Sequence, residues 1–278
     1  MHDFESWFVT VDEFHKILER LYERNYVLVD VYEAVRGDFS LPEGKKPLRL
    51  SFDDINYYQY MKGYGFASRM VLTDGGQIAN VCKDAEGNEY ISRDADSMAI
   101  METFLESHPD FSHNGARGII GLTVYEGVLG YRTPSESAGQ LLPLVAELKR
   151  RRWRFASHSW GHHHRAYSND PIDIVKGRKD IDRWFADVEP YIGRTDLFIT
   201  PFGIDTRMNM KFDRYLREKG FRHFFSMGRN NRIQSIGDAT YQPRIAIDGV
   251  NFSKRPNLLY PFIGDLAGIL SSYRKRKY

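Results

Sequence analysis

The 278-residue chain is 42% hydrophobic and 27% charged, an ordinary globular composition long enough to bury a substantial core. A formal net charge of +2 argues against a basic face for nucleic acid, and the one cysteine, Cys82, excludes an internal disulfide. No stretch reaches the roughly 18 apolar residues of a membrane span, and the first residues lack a basic-then-apolar signal pattern.

Thr10 followed by Glu13 is a capping-box signature, and Val11, Phe14, Ile17, Leu18 and Leu21 recur at helical spacing, predicting a helix over 11–24. The β-branched run Tyr26-Val27-Leu28-Val29-Asp30-Val31 reads as a strand. Further strands are predicted at 48–52, 118–124, 153–157, 197–200, 221–226 and 244–248. Helices are predicted between them at 56–62, 138–151, 172–188 and 206–219, the last stopped by Lys219-Gly220. Strand and helix taking turns argues for an α/β chain with a parallel sheet or barrel. Residues 74–116 break the rhythm: Gly75-Gly76, Gly87-Asn88, His108-Pro109 and Asn114-Gly115 are turn signals around one helix, 94–107. About 40 residues make a poor independent core, so this stretch reads as an insertion in a single domain spanning 1–278, with its core at about 10–250. The basic end, Arg274-Lys275-Arg276-Lys277 within 274–278, reads as a frayed, solvated tail.

Three strand ends carry the candidate chemistry. Leu48-Arg49-Leu50-Ser51-Phe52 runs into Asp53-Asp54, at the end of a strand where α/β folds bind ligands. Adjacent aspartates repel, so this pair reads either as a cation site or as a helix cap. Trp153-Arg154-Phe155-Ala156-Ser157 runs into His158-Ser159-Trp160-Gly161-His162-His163-His164. Four histidines in seven residues are hard to explain as packing, and two of them four apart can converge on one ion. Leu197-Phe198-Ile199 leads into Thr200-Pro201-Phe202-Gly203, a turn able to aim a main-chain N–H at a developing oxyanion. The content of 17 Tyr suits a carbohydrate site and a core equally.

These three segments, in this order, resemble the polysaccharide deacetylase family, the NodB-homology or family 4 carbohydrate esterases. Ser51-Phe52-Asp53-Asp54 matches the first family motif with Ile55 in place of its glycine, and His158-Ser159-Trp160-Gly161-His162 matches the second in full. Pro201-Phe202-Gly203 matches the end of the third, with Ile199 where the family carries an arginine. No Asp-x-x-Asp-Trp follows 221–226, and no Leu-x-His stands near 245–248.

The resemblance implies a distorted (β/α)7 barrel. It further implies Asp53 as base, Asp54, His158 and His162 as ligands of one divalent ion, and the Phe202 N–H as oxyanion donor. Zn²⁺ is the favoured ion, with Co²⁺, Ni²⁺ or Mn²⁺ as alternatives. Thr200, Pro201, Arg244 and Asp248 are candidate substrate contacts, a structural role being the favoured reading of the last two; Arg244 can also replace the missing arginine in charge if not in position. The implied substrate is an N- or O-acetylated glycan, and the implied location extracellular or in the cell envelope. A catalytically silent glycan-binding barrel and a metal-dependent amidase on a small non-sugar amide are the alternatives.

Overall fold

A computed structural model describes residues 3–163, 167 and 173–275. Its strands are β1 (Tyr26–Leu28), β2 (Lys46–Leu48), β3 (Ser51–Phe52), β4 (Arg69–Leu72), β5 (Ile78–Lys83) and β6 (Glu89–Ser92). They continue with β7 (Ile119–Leu122), β8 (Arg154–Ser157), β9 (Leu197–Ile199), β10 (His223–Met227), β11 (Gln234–Ile236) and β12 (Ala239–Arg244). Seven of them form one curled sheet in the order β11-β12-β10-β9-β8-β7-β3. Every neighbouring pair is parallel except β11 with β12. This is the expected α/β fold of the distorted (β/α)7-barrel type. Backbone pairing leaves it open between β3 and the β11–β12 edge.

Alternation along the strands sends side chains to two faces. Ile119, Ala156, Leu197, Ile199 and Phe225 form one cluster with Val31, while Phe198 and Phe224 join Ile181, Phe212 and Leu216 in another. Val31 belongs to a helix, Val31–Arg36, where a strand was expected. Asp30 ends that strand early by accepting a hydrogen bond from the Tyr32 N–H, which caps the helix (2.9 Å).

The expected strand 48–52 is also two. Leu48 pairs with Leu28 in a small parallel sheet, whereas Ser51 pairs with Ile119 in the large one. Of the helix expected at 56–62, only a 3₁₀ turn at Gln59–Met61 forms. The last expected strand, 244–248, is out of register: β12 ends at Arg244, and Ile245 and Ile247 pack on the main core instead of pairing. The helix over 172–188 is observed as Ile174–Ile192, residue 172 lying outside the described residues.

The insertion begins with an antiparallel sheet, β4-β5-β6, that its sequence did not announce, followed by a helix at Ser97–Ser107. Met70, Ile78, Cys82 and Met98 of this region share one hydrophobic cluster with Leu18 and Trp153 of the main body.

The helix Val11–Glu23 carries its capping box, with the Glu13 N–H donating to Thr10 Oγ1 (3.1 Å) and the Thr10 N–H donating to Glu13 Oε2 (3.0 Å). Glu13 has a second task that corrects the reading of the C-terminal tail. Arg274 is buried, and its guanidinium donates to both Glu13 oxygens (2.9 and 3.0 Å) and to the carbonyls of Glu5 and Phe8. Arg276 and Lys277 lie outside the described residues.

Burial pushes the Glu13 carboxyl up, but Arg274 and the N–H groups of Ser271 and Thr10 outweigh it and hold it below its ordinary value. Its folded pKa therefore lies below the unfolded value of about 4.3, so the stabilisation is complete above that pH and is lost as the pH falls through the folded value. Removing one partner of a buried pair costs about 3 kcal/mol. Urea unfolding of Arg274→Ala at pH 7 is expected to show a loss of that size, and Glu13→Gln a flatter decline of stability below about pH 4.3 than the wild type.

Candidate metal centre

The carboxyl ends of β3 and β8 bring Asp54, His158 and His162 together, with one ligand atom from each lying within 4.8 Å of the others. The fully buried run of β8 leads directly to His158, which is itself buried. His158 Nδ1 lies 2.9 Å from the carbonyl of Ile199 in β9. A carbonyl only accepts, so Nδ1 carries a proton and Nε2 is the nitrogen that faces the carboxylates. That Nε2 lies 4.0 Å from Asp54 Oδ2 and 3.9 Å from Asp53 Oδ2.

Burial, and then the neighbouring His158, push the His162 imidazole below its ordinary pKa, so at neutral pH it offers a lone pair. Two imidazoles and one carboxylate are a donor set that fits a divalent ion of the zinc kind. Among the described residues no other group of three or more His, Cys, Asp or Glu side chains converges in this way.

Backbone turns aim these side chains. Asp54 (φ 60°), Ser159 (φ 66°), His162 (φ 46°) and Phe202 (φ 56°) all adopt the left-handed region that side chains ordinarily avoid. The loop between the two histidines is held from outside by Asp180, a buried residue of the helix Ile174–Ile192. Its carboxylate accepts from the N–H groups of Trp160 (2.7 Å) and Gly161 (2.9 Å) and from the Tyr167 hydroxyl (2.9 Å). Ser159 Oγ accepts from the His162 N–H (3.0 Å). His163 is exposed and packs beside Trp160, apart from the triad, and His164 lies outside the described residues.

Asp54 is oriented by Tyr58, whose hydroxyl donates to Asp54 Oδ1 (2.6 Å) and also contacts Thr123 Oγ1. Burial and the Asp54 charge drive the Tyr58 phenol far above its ordinary pKa, so it stays a donor. Tyr58 stacks between Tyr60 and Tyr125, with ring centroids 5.4 and 5.0 Å apart, and this column of rings borders the triad.

Asp53 is held apart from its neighbour by Arg244. The guanidinium donates to Asp53 Oδ1 (2.7 Å) and Oδ2 (2.9 Å) and to Ser51 Oγ (2.8 Å). Desolvation would raise the Asp53 pKa, but Arg244 and then the two histidines overcome it and lower it to about 2. Arg244 thus engages both oxygens of the carboxylate beside the triad. Its position at the end of a strand was hidden by the misplaced register of β12.

The other candidates divide. Thr200 is buried and donates its hydroxyl to the Phe225 carbonyl (3.2 Å), a contact inside the fold. Pro201 is also buried; Phe202 follows it with its ring 4.3 Å from that of His162, at the triad itself. At Gly203 (φ 67°) an added Cβ would fall 2.2 Å from Met227, so only glycine closes this turn. Asp248 caps the helix Gly249–Lys254 by accepting from the Asn251 N–H (2.8 Å), the structural role left open for it.

Tyr58 and Asp180 were not picked out from sequence. A tyrosine four residues past an aspartate is a common coincidence, and Asp180 reaches the histidine loop only through the packing of its helix. Asp180→Asn, which keeps the size but only one acceptor oxygen, is expected to weaken Zn²⁺ affinity about tenfold to a hundredfold with an unchanged circular dichroism spectrum. Competition with a chromogenic chelator measures it; Tyr58→Phe is expected to act in the same direction.

No protein-family profile matches the chain, and no curated protein sequence matches it. Solved structures do. A de-N-acetylase from Aggregatibacter actinomycetemcomitans aligns over 94% of this chain and 94% of its own, with a TM-score of 0.55 at 16% identity. The Streptococcus pyogenes deacetylase PplD, solved in complex with acetate, aligns over 92% of this chain and 87% of its own, with a TM-score of 0.48 at 15% identity. The chain thus has a polysaccharide deacetylase-like fold, with the candidate metal centre at the carboxyl ends of its strands.

Proposed function

We propose that the protein is a metal-dependent hydrolase that removes acetyl groups, N-acetyl foremost, from a glycan. The observation carrying this reading is the division of labour between two adjacent carboxylates. Asp54 converges with His158 and His162, while Asp53 is kept out of that set by a bidentate arginine yet stays beside it. A pure metal-binding site needs no second, separately anchored carboxylate. A deacetylase does, as a base.

Asp54, His158 and His162 would hold the ion, Zn²⁺ before Co²⁺, Ni²⁺ or Mn²⁺. When bound, it supplies Lewis acidity toward an acetyl carbonyl and toward water. Asp53, ionised down to about pH 2, is ready to take a proton on a carboxylate oxygen. Arg244 fixes the direction in which that carboxylate faces. The Phe202 N–H, in a turn whose ring packs against His162, would serve as the donor to a developing oxyanion. The ring column Tyr125-Tyr58-Tyr60, part-exposed at Tyr60 and Tyr125, is suited to the apolar faces of a sugar. The fold shared with a de-N-acetylase supports the same reading.

One observation favours a silent glycan-binding barrel as the second reading. No histidine stands near 245–248 to protonate a leaving amine, and Asp248, the nearest acid in that segment, is committed to a helix cap.

Acetate release from chitooligosaccharides and acetylxylan by the Zn²⁺-loaded protein separates the two. Turnover on either substrate is expected, and its absence on both, with metal bound, would exclude the hydrolase. Asp54→Ala and His158→Ala should each lose the metal, measured by elemental analysis. Asp53→Asn should retain it and lower kcat by a factor on the order of 10² to 10⁴.

A further inference from the structure

A second feature shares this end of the sheet. A depression of about 250 Å³ is lined by Arg229, Lys254, Arg255, Asn257 and Leu258. Arg229 stands two residues past the end of β10, and the other four follow the helix cap beyond β12. Both strands run parallel to β3 and β8 within the sheet. The depression therefore lies beyond the carboxyl end of β10, at the same end of the sheet as Asp53, Asp54 and His158. A main-chain bond links the two places: the Gly228 N–H donates to the carbonyl of Arg244 (2.9 Å), the residue that holds Asp53.

The three cations have no ion-pair partner among the described residues. The contrast with the molecule's other arginine-lined cavity is informative. There Arg117 and Arg151 pair with Glu102, Arg150 with Glu147 and Arg152 with Glu33, so the charge is balanced inside the protein. At the mouth of the sheet nothing balances it. Asp248 feels the Arg255 charge, but its carboxylate is turned to the backbone of its own helix. All three cations are exposed, so an anion placed among them would relieve their screened repulsion and gain charge-assisted hydrogen bonds.

We propose that this depression seats an anionic group, a phosphodiester or a carboxylate, carried by the same glycan whose acetyl group is presented to the metal triad. The inference rests on the deacetylase reading and narrows its substrate class to an anionic polysaccharide. Two guanidinium forks and one ammonium suit a phosphate or a carboxylate and offer nothing particular to a neutral sugar.

Binding is measured apart from turnover. Dimethyl phosphate, glucuronate and glucose are titrated by NMR into the wild type and into the triple variant Arg229→Gln, Lys254→Gln, Arg255→Gln, whose folding is checked by circular dichroism. At least one anion is expected to bind the wild type, glucose is not, and the variant should bind that anion about tenfold more weakly or worse. The tighter of the two anions tells phosphate from carboxylate. Absence of binding by both, or equal binding to wild type and variant, would overturn the proposal. In turnover, kcat/KM for a carboxylate- or phosphate-bearing N-acetylated oligosaccharide, relative to a neutral one, should fall about tenfold in the variant. An unchanged ratio with acetate released refutes the anion site and leaves the deacetylase reading standing. Anion binding lost in the variant, with no acetate released from any substrate, refutes the deacetylase reading and leaves the anion site.

Discussion

The ion pair between Arg244 and Asp53 joins what the sheet leaves open. β3 is one edge of the curled sheet and β12 lies one strand in from the other, with no backbone ladder between them. Arg244 crosses that gap with three hydrogen bonds, two to Asp53 and one to Ser51. The contact spans 191 residues of sequence, and its geometry is bidentate and part-buried. A pair of this kind contributes little net stability against an apolar replacement, but losing one partner leaves an uncompensated charge. Its larger consequence is positional. With Asp53 tied to the arginine on both oxygens, it stays beside His158 while Asp54 converges with both histidines.

The site built on that separation stores backbone strain. Four of its residues sit at positive φ without being glycine, each at a cost of order 1 kcal/mol. Such conformations persist because their surroundings over-determine them. Asp180 accepts two N–H groups of the histidine loop, Tyr58 fixes the far oxygen of Asp54, and Ile199 fixes the tautomer of His158. Asp180 and Ile199 reach the site from other elements of the fold, Tyr58 from the same loop as Asp54. The ligands are therefore placed before any ion arrives, which lowers the ordering cost of binding it.

Charge is distributed by the same logic. The buried Arg274–Glu13 pair ties the C-terminal helix to the first capping box, and the arginines around Glu102 and Glu147 are matched by carboxylates. Arg229, Lys254 and Arg255, unmatched by carboxylates among the described residues, line a depression beyond the carboxyl end of β10, at the end of the sheet that carries the candidate metal centre.

Sequence by itself determined the α/β alternation, the capping box at Thr10, and the three strand ends that hold Asp53-Asp54, His158 to His162 and Pro201-Phe202-Gly203. These are local facts: propensity, periodicity and motif spacing act over a few residues, and a strand end delivers its next side chain to the mouth of the sheet. Only the tertiary structure decided the rest. It split the run 48–52 between two sheets, turned Val31 into a helix, and ended β12 at Arg244, because pairing partners and caps outweigh β-propensity where they compete. It also joined Arg244 to Asp53, Asp180 to the histidine loop and Arg274 to Glu13, contacts between residues 20 to 261 apart in the chain. No local pattern encodes such pairs, since their geometry exists only once the sheet has curled and the helices have packed on it.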